Sequence, residues 1–239
     1  MIEQRHEQLR RRMHRCRWGV HARLTQSLLL LMVGLSLVLH PSCGQKTPTE
    51  PGGVWPAGYV HCGGIETEVV PVTNPITGQT WMHRNLGARR AATRSTDVSA
   101  YGDLYQWGRF ADGHQCRGSS TTGTLSRTDQ PHHGNFIFIS RSALDWRSPQ
   151  NDHLWQGVDG VNNPCPVGYR LPTAAELEAE RQSWSSENAA GAFASPLKWP
   201  LAGERYFSSG ELGDAGSLGL YWPSTVDGTN ARYLYFLSS

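Results

Sequence analysis

The twelve residues Leu28 to Leu39 read LLLLMVGLSLVL without a charge, and they decide which part of the chain has to fold in water. A bilayer-spanning helix needs about 20 apolar residues, so this run is short for a span and suits the hydrophobic core of a secretory signal. Ahead of it Arg5, Arg10, Arg11, Arg12, Arg15, Arg17 and Arg23 face only Glu3 and Glu7, a net charge of +5 over the first 27 residues. A basic segment leading into an apolar run is the pattern of export. Met13 offers a second start that would shorten the basic segment.

Pro41 breaks any helix begun in the apolar run, and Ser42-Cys43-Gly44 follows at once. Small residues around a cysteine at the end of such a run resemble a bacterial lipoprotein processing site. Cleavage there exposes Cys43 for acylation, and each buried chain CH2 then contributes about 0.8 kcal/mol of membrane binding. His40 stands where such sites usually carry a branched apolar residue, with Leu39 one place further back. Cleavage nearby with release, and retention as an uncleaved anchor, are the other outcomes. The expected organisation is a lipoprotein-type signal over 1–42, a tether over 43–59 rich in Pro, Gly and Thr, and one domain over 60–239.

Removing the signal reverses the charge. The whole chain is at +2, so with +5 in the first 27 residues the remainder stands at −3. No Lys/Arg stripe is left to follow a phosphate backbone, which argues against a nucleic-acid partner. The exported part retains Cys62, Cys116 and Cys165. An oxidising compartment favours disulfides, and an odd count leaves at least one thiol without an internal partner. None of the three sits in a CxxC pair, so structural zinc is not expected.

Glu66 to Val72, the turn Asn74-Pro75-Ile76-Thr77-Gly78 and Thr80 to Arg84 read as a β-hairpin, with Pro71 at a strand end. Tyr101 to Phe110 has Leu104 and Trp107 at helical spacing and suggests a short helix. The Gly-, Ser- and Thr-rich stretch 113–130 reads as a long surface loop. Phe136 to Ile139 reads as a buried strand, and 146–163 as turns. Thr173 and Glu176 form a capping box, predicting a helix from about Ala174 to Trp184 with Leu177 and Trp184 on its buried face. Leu197–Leu201, Gly219–Thr225 and Ala231–Phe236 read as short strands, the last with Leu234 and Phe236 on one face and Tyr233 and Tyr235 on the other. The class these elements imply is α+β.

Several motifs occur in order: Asn74-Pro75 with Gly78; Trp81-Met82 and Arg84-Asn85-Leu86-Gly87-Ala88; Tyr101-Gly102-Asp103-Leu104-Tyr105-Gln106-Trp107-Gly108; Asn163-Pro164-Cys165-Pro166 with Gly168-Tyr169-Arg170-Leu171-Pro172-Thr173 and Glu176-Leu177; Leu201-Ala202-Gly203; and Gly219-Leu220-Tyr221-Trp222-Pro223-Ser224-Thr225. Together they resemble the Fibrobacter succinogenes major paralogous domain over about residues 60 to 239. The resemblance implies an exported protein, often an outer-membrane lipoprotein, of Fibrobacter- or Bacteroidetes-type bacteria. It also implies a C-type-lectin-like domain of short twisted antiparallel strands, about two helices and long loops. Members typically continue into a closing strand that carries a further cysteine. The resemblance thus implies that the closing strand is missing here, and with it a partner most simply assigned to Cys165.

The candidate chemistry is sparse. His83, His114, His132, His133 and His153 are scattered and do not suggest a convergent metal set. Asp145, Asn151, Asp152, Asp159, Asn162 and Asn163 make an oxygen-rich stretch of the type calcium takes, although Asn and Asp also serve ordinary turns. Trp81, Trp107, Trp155, Trp199 and Trp222 are candidates for stacking on sugars, each more readily placed in the core. Trp155, in a polar loop, is expected to be the least core-like. There is no GxSxG, HExxH or phosphate-binding glycine loop. An oxidase like the formylglycine-generating enzymes would use a pair of nearby cysteines, and these three are far apart in sequence.

The expectation is therefore a non-enzymatic envelope module without a cofactor or metal. It would be anchored at Cys43, stapled among Cys62, Cys116 and Cys165, and would bind a glycan or a surface protein through a loop carrying Asn151, Asp152, Trp155, Asp159 and Asn162. A structural envelope protein without a small ligand is the alternative.

Overall fold

Asn74 closes the first hairpin as the sequence suggests. Its Oδ1 accepts from the Ile76 N–H at 2.9 Å, and Gly78, at φ 70°, returns its own N–H to the Asn74 carbonyl. β1 (Pro71–Thr73) and β2 (Thr80–Met82) pair antiparallel, Val72 opposite Trp81. The computed structural model describes residues 53–139, 145–228 and 230–239. The expected signal segment, Cys43 and the tether up to residue 52 lie outside the described residues. From Val54 onward the expected tether is pinned: the Val167 N–H donates to the Val54 carbonyl at 2.8 Å, and the Trp55 and Tyr59 rings lie 4.5 Å apart.

The remaining elements are β3 (Thr121–Thr122) and β4 (Phe136–Ile137), parallel; α1 (Ala174–Gln182); α2 (Ala189–Ala194); the antiparallel pair β5 (Glu204–Arg205) and β6 (Leu212–Gly213); β7 (Leu218–Tyr221); the pair β8 (Val226–Asp227) and β9 (Asn230–Ala231); and β10 (Leu234–Leu237), antiparallel to β7. The class is mixed α+β, its strands joined in small two-stranded sheets among the described residues. No described helix is long and apolar enough to cross a membrane.

α1 begins where its capping box places it. The Thr173 hydroxyl accepts from the Glu176 N–H at 3.2 Å, and Glu176 Oε2 accepts from the Thr173 N–H at 2.7 Å. Arg170 grips the same carboxylate through two nitrogens at 2.7 and 2.8 Å, and this pairing above all lowers its pKa to about 2. The helix ends at Gln182, two residues short of the expected Trp184, which is nonetheless buried.

The main core gathers Leu177, Trp184, Leu197, Trp199, Leu201, Leu234 and Phe236, with Val72, Trp81 and Tyr221 against its edge. Trp199 lies edge-on to Tyr221 at 4.5 Å, and Trp184 edge-on to Phe236 at 5.2 Å. Each such side chain contributes about 1.5–3 kcal/mol by leaving water. Gly219 is required here, since a Cβ on it would lie 2.3 Å from the Phe236 ring. Inside this core Glu180 is fully buried. It accepts hydrogen bonds from Asn74 Nδ2 (2.6 Å), Ser195 Oγ (2.7 Å), Trp184 Nε1 (3.2 Å) and Trp199 Nε1 (3.3 Å). A second cluster holds Ile137, Ile139, Trp146 and Leu154.

Several expectations are corrected. Tyr101 to Phe110 forms no helix: Gly102 and Gly108 take φ of 67° and 77°, and the Leu104 N–H pairs across the chain with the Gln115 carbonyl. A Cβ at position 102 would lie 2.3 Å from the Leu86 carbonyl oxygen, so glycine is needed for this close approach. The stretch 113–130 is not wholly a surface loop. It contains β3 and buries His114 and Gln115 completely. Burial is tolerated because the polar atoms are matched: Gln115 bonds the Val60 carbonyl and the Gly113 N–H, and the His114 ring bonds Asp112 and the Gln106 N–H. Leu197–Leu201 is buried but forms no strand, Lys198 turning at φ 53°. The expected strand 66–72 pairs only from Pro71, and the run 231–236 is divided between β9 and β10.

Cys62 and Cys116 form the disulfide, and Cys165 is a buried free thiol.

Candidate functional site

In an antiparallel pair, side chains alternate between the two faces and directly opposite residues share a face. The β7–β10 ladder sets Tyr221 opposite Leu234 and Gly219 opposite Phe236, all turned toward the core, and Leu220 opposite Tyr235 on the other side. Tyr233 and Tyr235 consequently face outward and are 42% and 39% exposed, against 7% and 2% for Leu234 and Phe236. Trp222, which follows β7, joins them. Its ring lies 6.1 Å from Tyr233 at 81°, and Tyr233 lies 6.1 Å from Tyr235 at 62°. The result is a row of three aromatic rings on the outer face.

The row is fixed at its inner end. Trp222 Nε1 donates to the Tyr105 carbonyl at 2.9 Å, and Pro223 beside it accepts from Trp107 Nε1 at 2.9 Å. Arg232, next to Tyr233 in the chain, pairs with Asp227 at 3.1 Å. Such a surface offers aromatic faces, phenol hydroxyls and an ion pair.

The loop singled out from the sequence is put to other uses. Trp155 is 1% exposed, the most buried of the five tryptophans considered for stacking, and packs beside Trp107 at 5.6 Å and Tyr105 at 6.5 Å. The polar surroundings that suggested exposure belong to residues that fold over it. Asn162 is fully buried, its Nδ2 donating to the carbonyls of Gly108 and Asp129. Asn163 likewise ties Val158 to Tyr169 and accepts from the Cys165 N–H. Asn151 donates to Asp129 Oδ1, and its own Oδ1 caps the His153 N–H. Asp152 is bonded by Gln150, and Asp159 is exposed. Asn151, Asn162 and Asn163 thus serve as turn and core fasteners. Among the described residues no group of three or more His, Cys, Asp or Glu converges as a metal-binding set.

Of the other tryptophans, Trp199 is in the core, Trp81 is half-buried at its margin, and Trp107 is half-buried against Trp155. His114 is held in an enclosed network: Nδ1 donates to Asp112 Oδ1 at 2.8 Å, and Nε2 accepts from the Gln106 N–H at 3.0 Å, which fixes a neutral ring. Burial lowers its pKa to about 4. Asp112 also receives Arg109 Nε, and the fully buried Arg109 donates onward to Gln106 and to the carbonyls of Asn135 and His133. This network binds three loop segments together.

Asp103 behaves differently. Burial raises its carboxyl to about 7, partly offset by Arg117, and its Oδ2 has no hydrogen-bond partner. Close by, the hydroxyls of Tyr59 and Tyr105 meet at 2.8 Å, and burial raises both above the usual phenol range. Burial pushes the Cys165 thiol up to about 12.

The aromatic row was visible in the sequence as the alternation of Tyr233 and Tyr235 with Leu234 and Phe236. What the sequence lacked was the pairing that sets Trp222 beside them. In comparisons with known families, curated proteins and solved structures, the chain matches none.

Proposed function

We propose that the exported part of this chain is a non-catalytic recognition module, displayed at the cell envelope from a lipid on Cys43, that binds a glycan through the outward face of β7 and β10. The observation that carries this reading is the row Trp222–Tyr233–Tyr235, each ring in contact with the next and both tyrosines exposed. Touching, exposed aromatic side chains form a platform on which a ligand's apolar face can rest. The apolar C–H faces of sugar rings stack on aromatic faces while their hydroxyls bond polar neighbours.

The ordered motifs resembling the Fibrobacter succinogenes major paralogous domain support this reading, as does the C-type-lectin-like architecture the resemblance implies. The test is a glycan array probed with the full chain, processed by a host that acylates lipoproteins, with intact mass to establish acylation at Cys43. Capture of one or more glycans by a mass-verified acylated chain is expected. Failure to bind any glycan would sink the recognition reading, and an unacylated product would remove the anchor.

A further inference from the structure

Resting on that glycan-binding reading, we infer that the ligand is a single soluble chain of neutral sugars rather than a crystalline polysaccharide face or a charged glycan. The inference comes from ring orientation and charge. A crystalline face is flat, and binding it takes aromatic rings lying in one plane. Here successive rings turn through 81° and 62°, so at most one of them can lie flat on a plane surface. A soluble chain twists between residues and presents sugar faces in changing directions, which a turned row can follow ring by ring.

The steps between neighbouring rings are equal, 6.1 Å each, so neighbouring rings can meet neighbouring units of one chain. Both contacts are edge-to-face, the arrangement aromatic pairs prefer, so the turned geometry is a stable resting state of the row. Trp222 is held by its bond to the Tyr105 carbonyl, while Tyr235 projects from β10 and Tyr233 immediately precedes it.

Charge narrows the class further. Uronic-acid and sulfated chains call for unpaired cations. The cation next to Tyr233 is Arg232, and it is engaged by Asp227 at 3.1 Å. The ion pair can still bond hydroxyl groups, as neutral sugars require.

The experiment is affinity electrophoresis of the full chain in gels containing soluble neutral polysaccharides (glucomannan, xylan, hydroxyethylcellulose) or a soluble polyuronate. Sedimentation with crystalline cellulose and chitin runs alongside. The variants are Y233A/Y235A and Y233F/Y235F. Both lie on the outward face, and thermal melting confirms their folding. Retardation by at least one neutral soluble chain is expected, weakened roughly tenfold or more in the Ala pair and within about threefold of wild type in the Phe pair.

Binding only to crystalline material, or only to the polyuronate, overturns the inference while leaving glycan recognition standing. Soluble-chain binding unchanged in a folded Ala pair overturns the placement of the site. No binding to any polysaccharide, with self-association that the Ala pair abolishes, overturns both readings and makes this face a protein interface.

Discussion

Asn74 and Glu180 stand 106 positions apart, and the Asn74 amide donates to the Glu180 carboxylate at 2.6 Å. The bond ties the turn of the first hairpin to the last turn of α1. Glu180 has no cation among its hydrogen-bond partners: two indoles, one hydroxyl and one amide donate to it. Asn74 cannot rotate its amide to suit a different partner, because its Oδ1 already accepts from Ile76.

Glu180→Gln therefore sets an NH2 group against the Asn74 NH2 and leaves a buried donor unmatched, at a cost of about 1–3 kcal/mol. Glu180→Leu removes the acceptor from all four donors and should cost more, about 3–5 kcal/mol. Urea unfolding followed by tryptophan fluorescence measures both, since Trp184 and Trp199 touch the site. A Gln variant as stable as wild type would mean that the surrounding donors rearrange to match the new amide.

The Cys62–Cys116 disulfide spans 54 residues of sequence. Loop-closure entropy for such a span is worth about 4 kcal/mol. The bond also closes the loop that carries His114 and Gln115, and Gln115 bonds the Val60 carbonyl two residues before Cys62. The C62S/C116S pair should lose about 2–4 kcal/mol in thermal or chemical unfolding, with the midpoint of wild type in reductant falling to match. A loss below about 1 kcal/mol would show that hydrogen bonds across this loop hold it closed without the cross-link.

Local signals were the legible ones. The Asn74–Gly78 turn, the Thr173–Glu176 box and the alternation through Leu234 and Phe236 each depend on residues a few positions apart, and each forms as the sequence predicts. The errors came where long-range partners decide. Trp155 looked exposed because its neighbours are polar, yet those neighbours fasten the loop over it from Gly108 and Asp129. Leu104 and Trp107 had helical spacing, but two positive-φ glycines and a pairing with Gln115 set the backbone instead. Tyr233 and Tyr235 were readable as one face, whereas the contact with Trp222 depends on β7 and β10 meeting in register.

Asp103 and His114 carry opposite pH dependence. The folded His114 refuses a proton until about pH 4, while an unfolded histidine takes one near 6.5, so lowering the pH through that window costs stability. The groups facing it are Asp112, Arg109, Arg205 and the Tyr105 ring, and burial outweighs them. The folded Asp103 keeps its proton up to about pH 7, while an unfolded aspartate releases one near 3.8, so raising the pH through that window costs stability. The two slopes offset each other in the wild type.

Asp103→Asn should thus be more stable than wild type at pH 8, with the gap closing toward pH 4. His114→Gln should be less stable than wild type near neutrality, with its deficit shrinking over the same descent. Unfolding free energies measured in urea at several pH values separate the two. Parallel curves for Asp103→Asn and wild type would show that this carboxyl titrates alike in the folded and unfolded chain.

Cys165 gives the most direct check on the interior. Its thiol is buried, flanked by Pro164 and Pro166, and burial drives its pKa to about 12 despite the attraction of Arg170. Only the thiolate reacts with alkylating agents, so at pH 8 the folded protein presents almost no nucleophile at this position and shields what there is. Iodoacetamide should leave Cys165 unmodified in native buffer and modify it fully in denaturant without reductant, while Cys62 and Cys116 stay unlabelled until reduced. Peptide mapping by mass reads all three. Rapid native labelling of Cys165 would mean that the turn from Asn163 to Tyr169, held by the two bonds of the Asn163 amide, opens far below the energy of global unfolding.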